Sequence, residues 1–566
     1  MSASQVAAFI SEHADVSWLP VALGLTAHQF YKRVEPTAEA FLVHTAILSV
    51  GLFFLISKPH ITHGVSLADL WATGQALLLY FSTLSVSIVI YRLYINPLRK
   101  FPGHTLDAAT KWGGFLRASR GTVHHVMMKK HRQLGDFVRI GPNEISIADA
   151  SFIPIVHGNK SRFPKGPWYQ HMNPEPVQSL IAILDFDTHK SRRKVWDEVF
   201  TPRALRVYET RIMSVFETLS ERLKTMAQTG EVIDLSTWSE RLLVDTTGKI
   251  AFNVDFNSVQ DAKGHFYVEF IHSYLKNIAT LGEISWLKPL LAYLPLNRQQ
   301  MENINRYVQF SEEKLAERLK QGSAEIDVLG FLMTAGKRNP AYAMSTEGLG
   351  SEARLVIAAG SDTTSIAITS AMYWLLQDRR AYLKLREECK TIFSEGEEFE
   401  ASRLGDWKRA PYLNGCAMEA LRLLPSGPNG HQRIVNSPGG LMTPIGLHIP
   451  EGTKVSVPTW TVHHDPRNFE KPWDFIPERW IEGSGFEGAH NPTAFMAFSL
   501  GSYSCIGKPL ALMQIRMFLY NMIPMFDFTP APGFDKRAFI EDTTAWFGLK
   551  KLPLPVKVSF ASAEKN

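Results

Sequence analysis

Phe498-Ser499-Leu500-Gly501-Ser502-Tyr503-Ser504-Cys505-Ile506-Gly507-Lys508-Pro509-Leu510-Ala511 sets one cysteine in a glycine-flanked loop followed by an apolar run. Gly501 and Gly507 admit backbone angles that residues with a Cβ resist, so the loop can curl and aim N–H groups at the sulfur. Those groups, and the positive end of a helix starting near Ile506, favour thiolate over thiol. Cys505 is therefore a candidate metal ligand. A buried free cysteine is the other reading of the same residue.

The loop closely resembles the cysteine-ligand loop of the cytochromes P-450, haem-thiolate monooxygenases whose pattern reads Phe-x-x-Gly-x-Arg-x-Cys-x-Gly. Phe498, Gly501, Cys505 and Gly507 fit it, and Tyr503 departs from it. The family's arginine at that place contacts a haem propionate; a tyrosine hydroxyl can donate one hydrogen bond but brings no charge. The resemblance implies haem b with Cys505 as axial ligand, and a fold that is mainly α with a minor β region.

Composition bounds the alternatives. The 566 residues are 45% hydrophobic and 20% charged, as in a globular protein. A net charge of +5 without a long basic run gives no case for nucleic acid as a partner. The three cysteines, Cys389, Cys416 and Cys505, are too far apart for a CxxC zinc site and argue against a disulfide framework.

The first hundred residues read as a membrane module. Ala40 to Ser57 (AFLVHTAILSVGLFFLIS) and Leu70 to Tyr91 (LWATGQALLLYFSTLSVSIVIY) lack Asp, Glu, Lys and Arg and approach the ~20 residues that span a bilayer. Val16 to Tyr31 is shorter and contains Pro20, so it is either a third span or an interfacial helix. Glu12 and Asp15 precede it, Lys32 and Arg33 follow it, and Arg92, Arg99 and Lys100 follow the last candidate. The positive-inside rule then puts the N-terminus outside and the body in the cytoplasm. No small-residue cleavage site follows, so the segments are expected to be retained. The expected organisation is an anchor over 1–95, a hinge over 96–103 carrying Pro97 and Pro102, and a catalytic domain over 104–566, on the endoplasmic reticulum as a multi-pass protein.

Further along, Phe137 to Ile147 alternates about a Gly-Pro turn, as a hairpin would. His189 and Arg193 stand four apart and share a helical face. Residues 204–340 read as helical, with breaks at Gly230, Pro289, Pro295 and Pro340. Gly348-Leu349-Gly350-Ser351-Glu352-Ala353 mimics a dinucleotide fingerprint but follows no convincing strand. The helix it opens contains Ala359-Gly360-Ser361-Asp362-Thr363-Thr364, a carboxylate beside two hydroxyls in an apolar segment. Burying that trio needs partners, and suggests a functional kink or proton path; an incidental polar face is the plainer reading. Glu419 and Arg422 share a helical face, and Arg479 follows in Pro-Glu-Arg-Trp.

These stretches are similar to further marks of the same family, and the similarity runs from about Pro97 to Gly548. It implies that His189, Arg193 and Arg433 reach haem propionates, with His431 helping to offset Tyr503, and that Arg192 and Lys194 belong to a basic docking surface. Gly360 would leave room for dioxygen, Thr363 would hydrogen-bond it, and Asp362 would feed a proton relay. Glu419, Arg422 and Arg479 would form a structural triad behind the haem loop, and Trp546 and Phe547 would line the substrate pocket. The implied activity is monooxygenation of a lipophilic small molecule, a terpenoid, alkaloid or polyketide as in fungal members, using O2 and electrons from NADPH through NADPH-cytochrome P-450 reductase. Two alternatives share much of this sequence: a haem-thiolate isomerase or dehydratase needing no reductase, against which the Asp362-Thr363 pair stands, and a non-catalytic membrane binding protein. No GxSxG or metalloprotease motif supports a hydrolase.

Overall fold

The computed structural model describes residues 18–32, 38–57, 65–172, 177–284, 287, 298–322 and 326–561. Glu12, Asp15, Arg33, Pro289 and Pro295 lie outside the described residues. Helix makes up 61% of the structure, beside small sheets, so the fold is mainly α with a minor β region. The chain divides into two units, one comprising 1–113, 139–143 and 284–298, the other the remainder.

In the first unit, helices Leu19–Tyr31, Ala38–Ser57 and Leu67–Ile90 are described. Glu39–Ser57 and Leu67–Ile95 are long and apolar enough to cross a membrane. Leu19–Tyr31, at 13 residues, falls short of a span. It packs instead against the Leu67–Ile90 helix, where His28 Nδ1 and Ser87 Oγ lie 2.6 Å apart. Gly24 permits that approach, because a Cβ would meet the Tyr80 carbonyl oxygen at 2.9 Å. The long helix ends in a wider turn over Tyr91–Ile95, and Asn96 caps a short 3-10 turn, Pro97–Lys100.

The second unit is organised around a helix broken once, Thr346–Gly360 and Asp362–Gln377. It also satisfies the length and hydropathy of a membrane span, but two thirds of its apolar window is buried in protein, and it is a core helix. Ser345 caps its start by accepting from Gly348 N–H at 3.1 Å. The Gly-x-Gly stretch is therefore the first turns of this helix, preceded by a 3-10 turn at Pro340–Tyr342 and not by a strand. Helices Leu235–Phe252, Pro411–Leu423 and Lys508–Met522 surround it. Helices also fill Pro202–Thr229, Phe266–Gly282, Arg298–Lys320 and Val328–Arg338, with Gly230 ending the first in the left-handed conformation. Strand Glu144–Ile147 runs parallel to Lys454–Ser456, which pairs antiparallel with Arg433–Ile434. A second sheet joins Val232–Asp234, Pro555–Phe560 and Phe526–Pro530.

Candidate active site

A largely apolar cavity of about 310 Å³ lies between the broken helix and the 498–511 loop. Phe498, Tyr503, Cys505 and Gly507 line it from the loop, and Gly360, Thr363 and Thr364 from the helix. The cysteine is exposed to this cavity. Its backbone N–H donates to the Phe498 carbonyl at 2.8 Å, which closes the loop. Burial pushes the Cys505 thiol up, against the Gly507 and Lys508 backbone N–H groups and the Arg193 charge, which pull it down. The expected N–H groups are thus in place, yet the net direction is up; the dehydration of the sulfur outweighs them.

The two loop glycines act differently from expectation. Gly501 is left-handed at φ 66°, and a Cβ there would collide with the His157 carbonyl oxygen. Gly507 has an ordinary φ of −79°; it matters for space, since it lines the cavity and a Cβ on it would meet nothing. The other left-handed residue of the loop is Ser499, at φ 52°.

One end of the cavity is crowded with basic side chains. His189 and Arg193 come from helix Phe186–Val199, which Asp185 caps and which buries His189 on the same face as Trp196. Arg193 donates to the Ser504 carbonyl at 2.6 Å, tying this helix to the loop. Arg433 is fully buried with its Nε lacking a partner among the described residues, and its guanidinium lies 4.7 Å from the Tyr503 ring centre. Beside it stands Lys165, which sequence reasoning missed. Backbone pairing brings it there: Ile434 N–H donates to the Pro164 carbonyl, and Gly166 N–H to that of Gln432. Two of its N–H donors go to the Leu180 and Ile181 carbonyls at 2.9 and 2.7 Å. Burial and then Arg433 depress its ammonium to about 6. The only sequence signal is its setting, Pro164-Lys165-Gly166-Pro167, an unusually rigid stretch for a lysine.

The two histidines add no charge here. Burial, then neighbouring cations, lowers both His189 and His431 to about 3. His431 also shares a hydrogen bond with the Tyr169 hydroxyl at 2.8 Å. It therefore brings no charge to the place of the missing arginine at Tyr503; the basic groups beside that ring are Arg433 and Lys165, 4.7 and 5.1 Å from its centre. Arg192 is corrected as well. Its guanidinium is held inside by Glu352 at 2.9 Å, which leaves Lys190 and Lys194 as the exposed basic groups of that helix.

The helix breaks at Ser361, as the polar trio suggested, and Ser426 Oγ braces the break by donating to the Thr363 carbonyl at 2.7 Å. Thr363 Oγ1 donates back to the Ala359 carbonyl at 2.8 Å. Gly360 lines the cavity, but its missing Cβ faces Thr247 Oγ1 at 3.2 Å, so glycine there serves close approach of the Leu235–Phe252 helix. Asp362 is buried just off the cavity, with His272 Nε2 at 3.0 Å and Lys551 Nζ at 3.6 Å from the same oxygen. Burial would raise this carboxyl, and the His272 bond with the Lys551 charge more than offsets it, leaving it below the usual range. His272 carried no sequence signal. Phe547 and Gly548 line the cavity, with Phe547 stacked on Trp168 at 5.8 Å. Trp546 does not; its ring lies against Gly121 and Lys276.

Glu419, Arg422 and Arg479 meet with no side-chain exposure. Glu419 Oε1 accepts from Arg422 at 2.8 Å and Arg479 at 2.9 Å, and its Oε2 from Trp480 Nε1 at 2.9 Å. Arg422 also donates to the carbonyls of His463, Pro472 and Asp474.

A haem-loop cysteine facing a broken helix with an acid–alcohol pair defines a haem-thiolate class of site. The sequence model described as Cytochrome P450 matches residues 108–560, and the chain belongs to that family. It is 33% identical over 489 residues to the cytochrome P450 monooxygenase phqL of Penicillium fellutanum, covering 86% of this chain and 84% of that one. The tryprostatin B 6-hydroxylase of Aspergillus fumigatus is 30% identical, over 84% of this chain and 83% of its own. The averantin hydroxylase of Dothistroma septosporum is 28% identical, over 90% and 95%. The protein is a haem-thiolate monooxygenase of fungal secondary metabolism, and so an oxidoreductase.

The family implies haem with cysteine ligation, and the residues present fit it. Arg433 and Arg193 depress the Lys165 ammonium, Arg193 is paired with Asp197, and Glu352, the acid that opposes the depression, is already paired with Arg192. A bound dicarboxylate would relieve that repulsion and satisfy Arg433 Nε.

Proposed function

We propose that this monooxygenase takes electrons from NADPH through a flavoprotein cytochrome P-450 reductase and uses O2 to oxidise a lipophilic small molecule. The terpenoid, alkaloid or polyketide class is the substrate reading, supported by relatives named for averantin and tryprostatin B. The anchor is 1–95, the hinge 96–103 and the catalytic domain 104–566, on the endoplasmic reticulum with the body in the cytoplasm. Two N-terminal helices of spanning length support the membrane part of this reading.

Haem b, when bound, supplies oxygen activation and transfer. Cys505 would hold its iron, and Lys165, Arg193 and Arg433 would hold its carboxylates, with neutral His189 and Tyr503 as hydrogen-bonding neighbours and Phe498 closing the loop behind. Asp362 and Thr363 hold and move protons at the helix break beside Gly360. Apolar walls including Leu355, Val356 and Phe547 exclude water and take up a lipophilic substrate. The exposed Lys190 and Lys194 are the groups that meet an acidic reductase surface. Glu419, Arg422 and Arg479 are scaffold.

The observation that carries this reading is Cys505 opening into an apolar cavity whose one end gathers two arginines and a lysine. Its test is the carbon monoxide difference spectrum of the dithionite-reduced membrane protein, beside Cys505→Ala. A red-shifted Soret band lost in the variant supports it, and turnover of lipophilic compounds should then require NADPH and reductase together. Folded, haem-supplied protein lacking the band would overturn it.

A further inference from the structure

We propose that His272 supplies protons to Asp362, making the His272–Asp362 pair, held by Lys551 and Glu240, the route from solvent to the Thr363 side of the cavity. This rests on the reading above that Asp362 serves a proton relay.

The geometry is specific. His272 projects from helix Phe266–Gly282 and places Nε2 3.0 Å from Asp362 Oδ1. Its side chain is 26% exposed while that of Asp362 is 7% exposed, so the pair bridges solvent and core. Lys551 is only 5% exposed and is fixed by Glu240 Oε2 at 2.8 Å and Ser365 Oγ at 2.7 Å. It can orient the Asp362 carboxylate, and it is far less exposed to water than His272.

Charge balance decides where the proton rests. With a neutral imidazole, Glu240, Asp362 and Lys551 carry one excess negative charge in a mostly buried cluster; the imidazolium cancels it. These three are the charged groups that act on His272 from the elements around it. Burial lowers His272, and the Asp362 hydrogen bond and charge outweigh that to raise it above 6.5. The imidazolium is thus held ready near neutral pH. In the transfer, its Nε2–H bond breaks and an O–H bond forms on Asp362 Oδ1, giving neutral imidazole and carboxylic acid. Water reprotonates His272 from the exposed side. The Asp362 O–H bond then breaks and a water in the cavity beside Thr363 accepts the proton, forming hydronium that passes it on, while Asp362 returns to carboxylate. One proton moves and nothing is oxidised.

His272 is a positioning residue acting through Asp362, and the test reads more than rate. Full-length protein in phospholipid nanodiscs is given reductase, NADPH and air without organic substrate, in H2O and D2O, across about pH 6 to 8. The share of electrons leaving as hydrogen peroxide is measured. His272→Gln is expected to keep the carbon monoxide band, raise the peroxide share several-fold, enlarge the solvent isotope effect and flatten the pH profile. His272→Lys restores a cation beside Asp362 and Glu240 without the imidazole, and is expected not to restore the wild-type profile. A wild-type profile in His272→Gln, or full rescue by His272→Lys, overturns the proposal and makes the pair structural. Should His272→Gln lose its haem, Asp362→Asn is read instead: a flattened profile supports the route and an unchanged one overturns it. Absence of the band in wild-type protein sinks the haem reading itself, a distinct result.

Discussion

Lys165 Nζ lies 5.1 Å from the centre of the Tyr503 ring, and the Arg433 guanidinium 4.7 Å from it. Lys165 and Tyr503 are 338 positions apart, and on the haem reading proposed above they would share the place that one arginine fills elsewhere in the family.

Lys165→Met is therefore expected to weaken haem retention. Losing a hydrogen bond to a charged group costs about 1.5–3 kcal/mol, or roughly 10- to 100-fold in haem affinity. Haem transfer to apomyoglobin measures it. Adding Tyr503→Arg to Lys165→Met should recover most of the loss, while Tyr503→Arg alone, facing two cations, should gain little. Equal retention in wild type and Lys165→Met would remove lysine from this role.

Glu419→Gln leaves Arg422 and Arg479 buried without their counter-charge. Breaking such a pair costs about 3–5 kcal/mol. The expected outcome is little folded haem protein, seen as a large fall in thermal midpoint and in the yield of the carbon monoxide band. A stable, spectrally normal variant would show that the triad does not support the loop.

Gly501→Ala combines a left-handed backbone with a collision against the His157 carbonyl. Gly507→Ala has neither problem and meets only open cavity. The first should lose overall stability, by about 1–2 kcal/mol from the backbone alone. The second should fold normally and show its defect in haem content. Denaturation curves of the two variants in the haem-free state separate these effects.

The His272–Asp362 pair carries a pH signature in stability. His272 is raised in the folded state, so its contribution is fully present below about 6.5, its unfolded value, and is lost as pH rises through the folded pKa. Asp362 is lowered, so its contribution persists above 3.8 and is lost only in stronger acid. The stability difference between wild type and His272→Gln should shrink as pH is raised above about 6.5. Chemical denaturation at several pH values checks this; a difference that grows with pH would reverse the assignment.

What the sequence by itself determined is confined to short spacings. Cys505 with its glycines, the Gly360–Thr364 run, Glu419 with Arg422 and the long apolar N-terminal segments are each set within a few residues, where covalent geometry leaves little choice. Their resemblance to the cytochrome P-450 motifs carried the chemical class, and with it the mainly α fold with a minor β part. Tertiary structure decided the rest. It turned Arg192 inward to Glu352, neutralised His189 and His431 by burial, pointed Gly360 at a neighbouring helix and set Trp546 away from the cavity. It also brought Lys165 to Tyr503 and His272 to Asp362. The charge state and partners of an ionisable side chain depend on what surrounds it after packing, and those surroundings come from segments tens to hundreds of residues away.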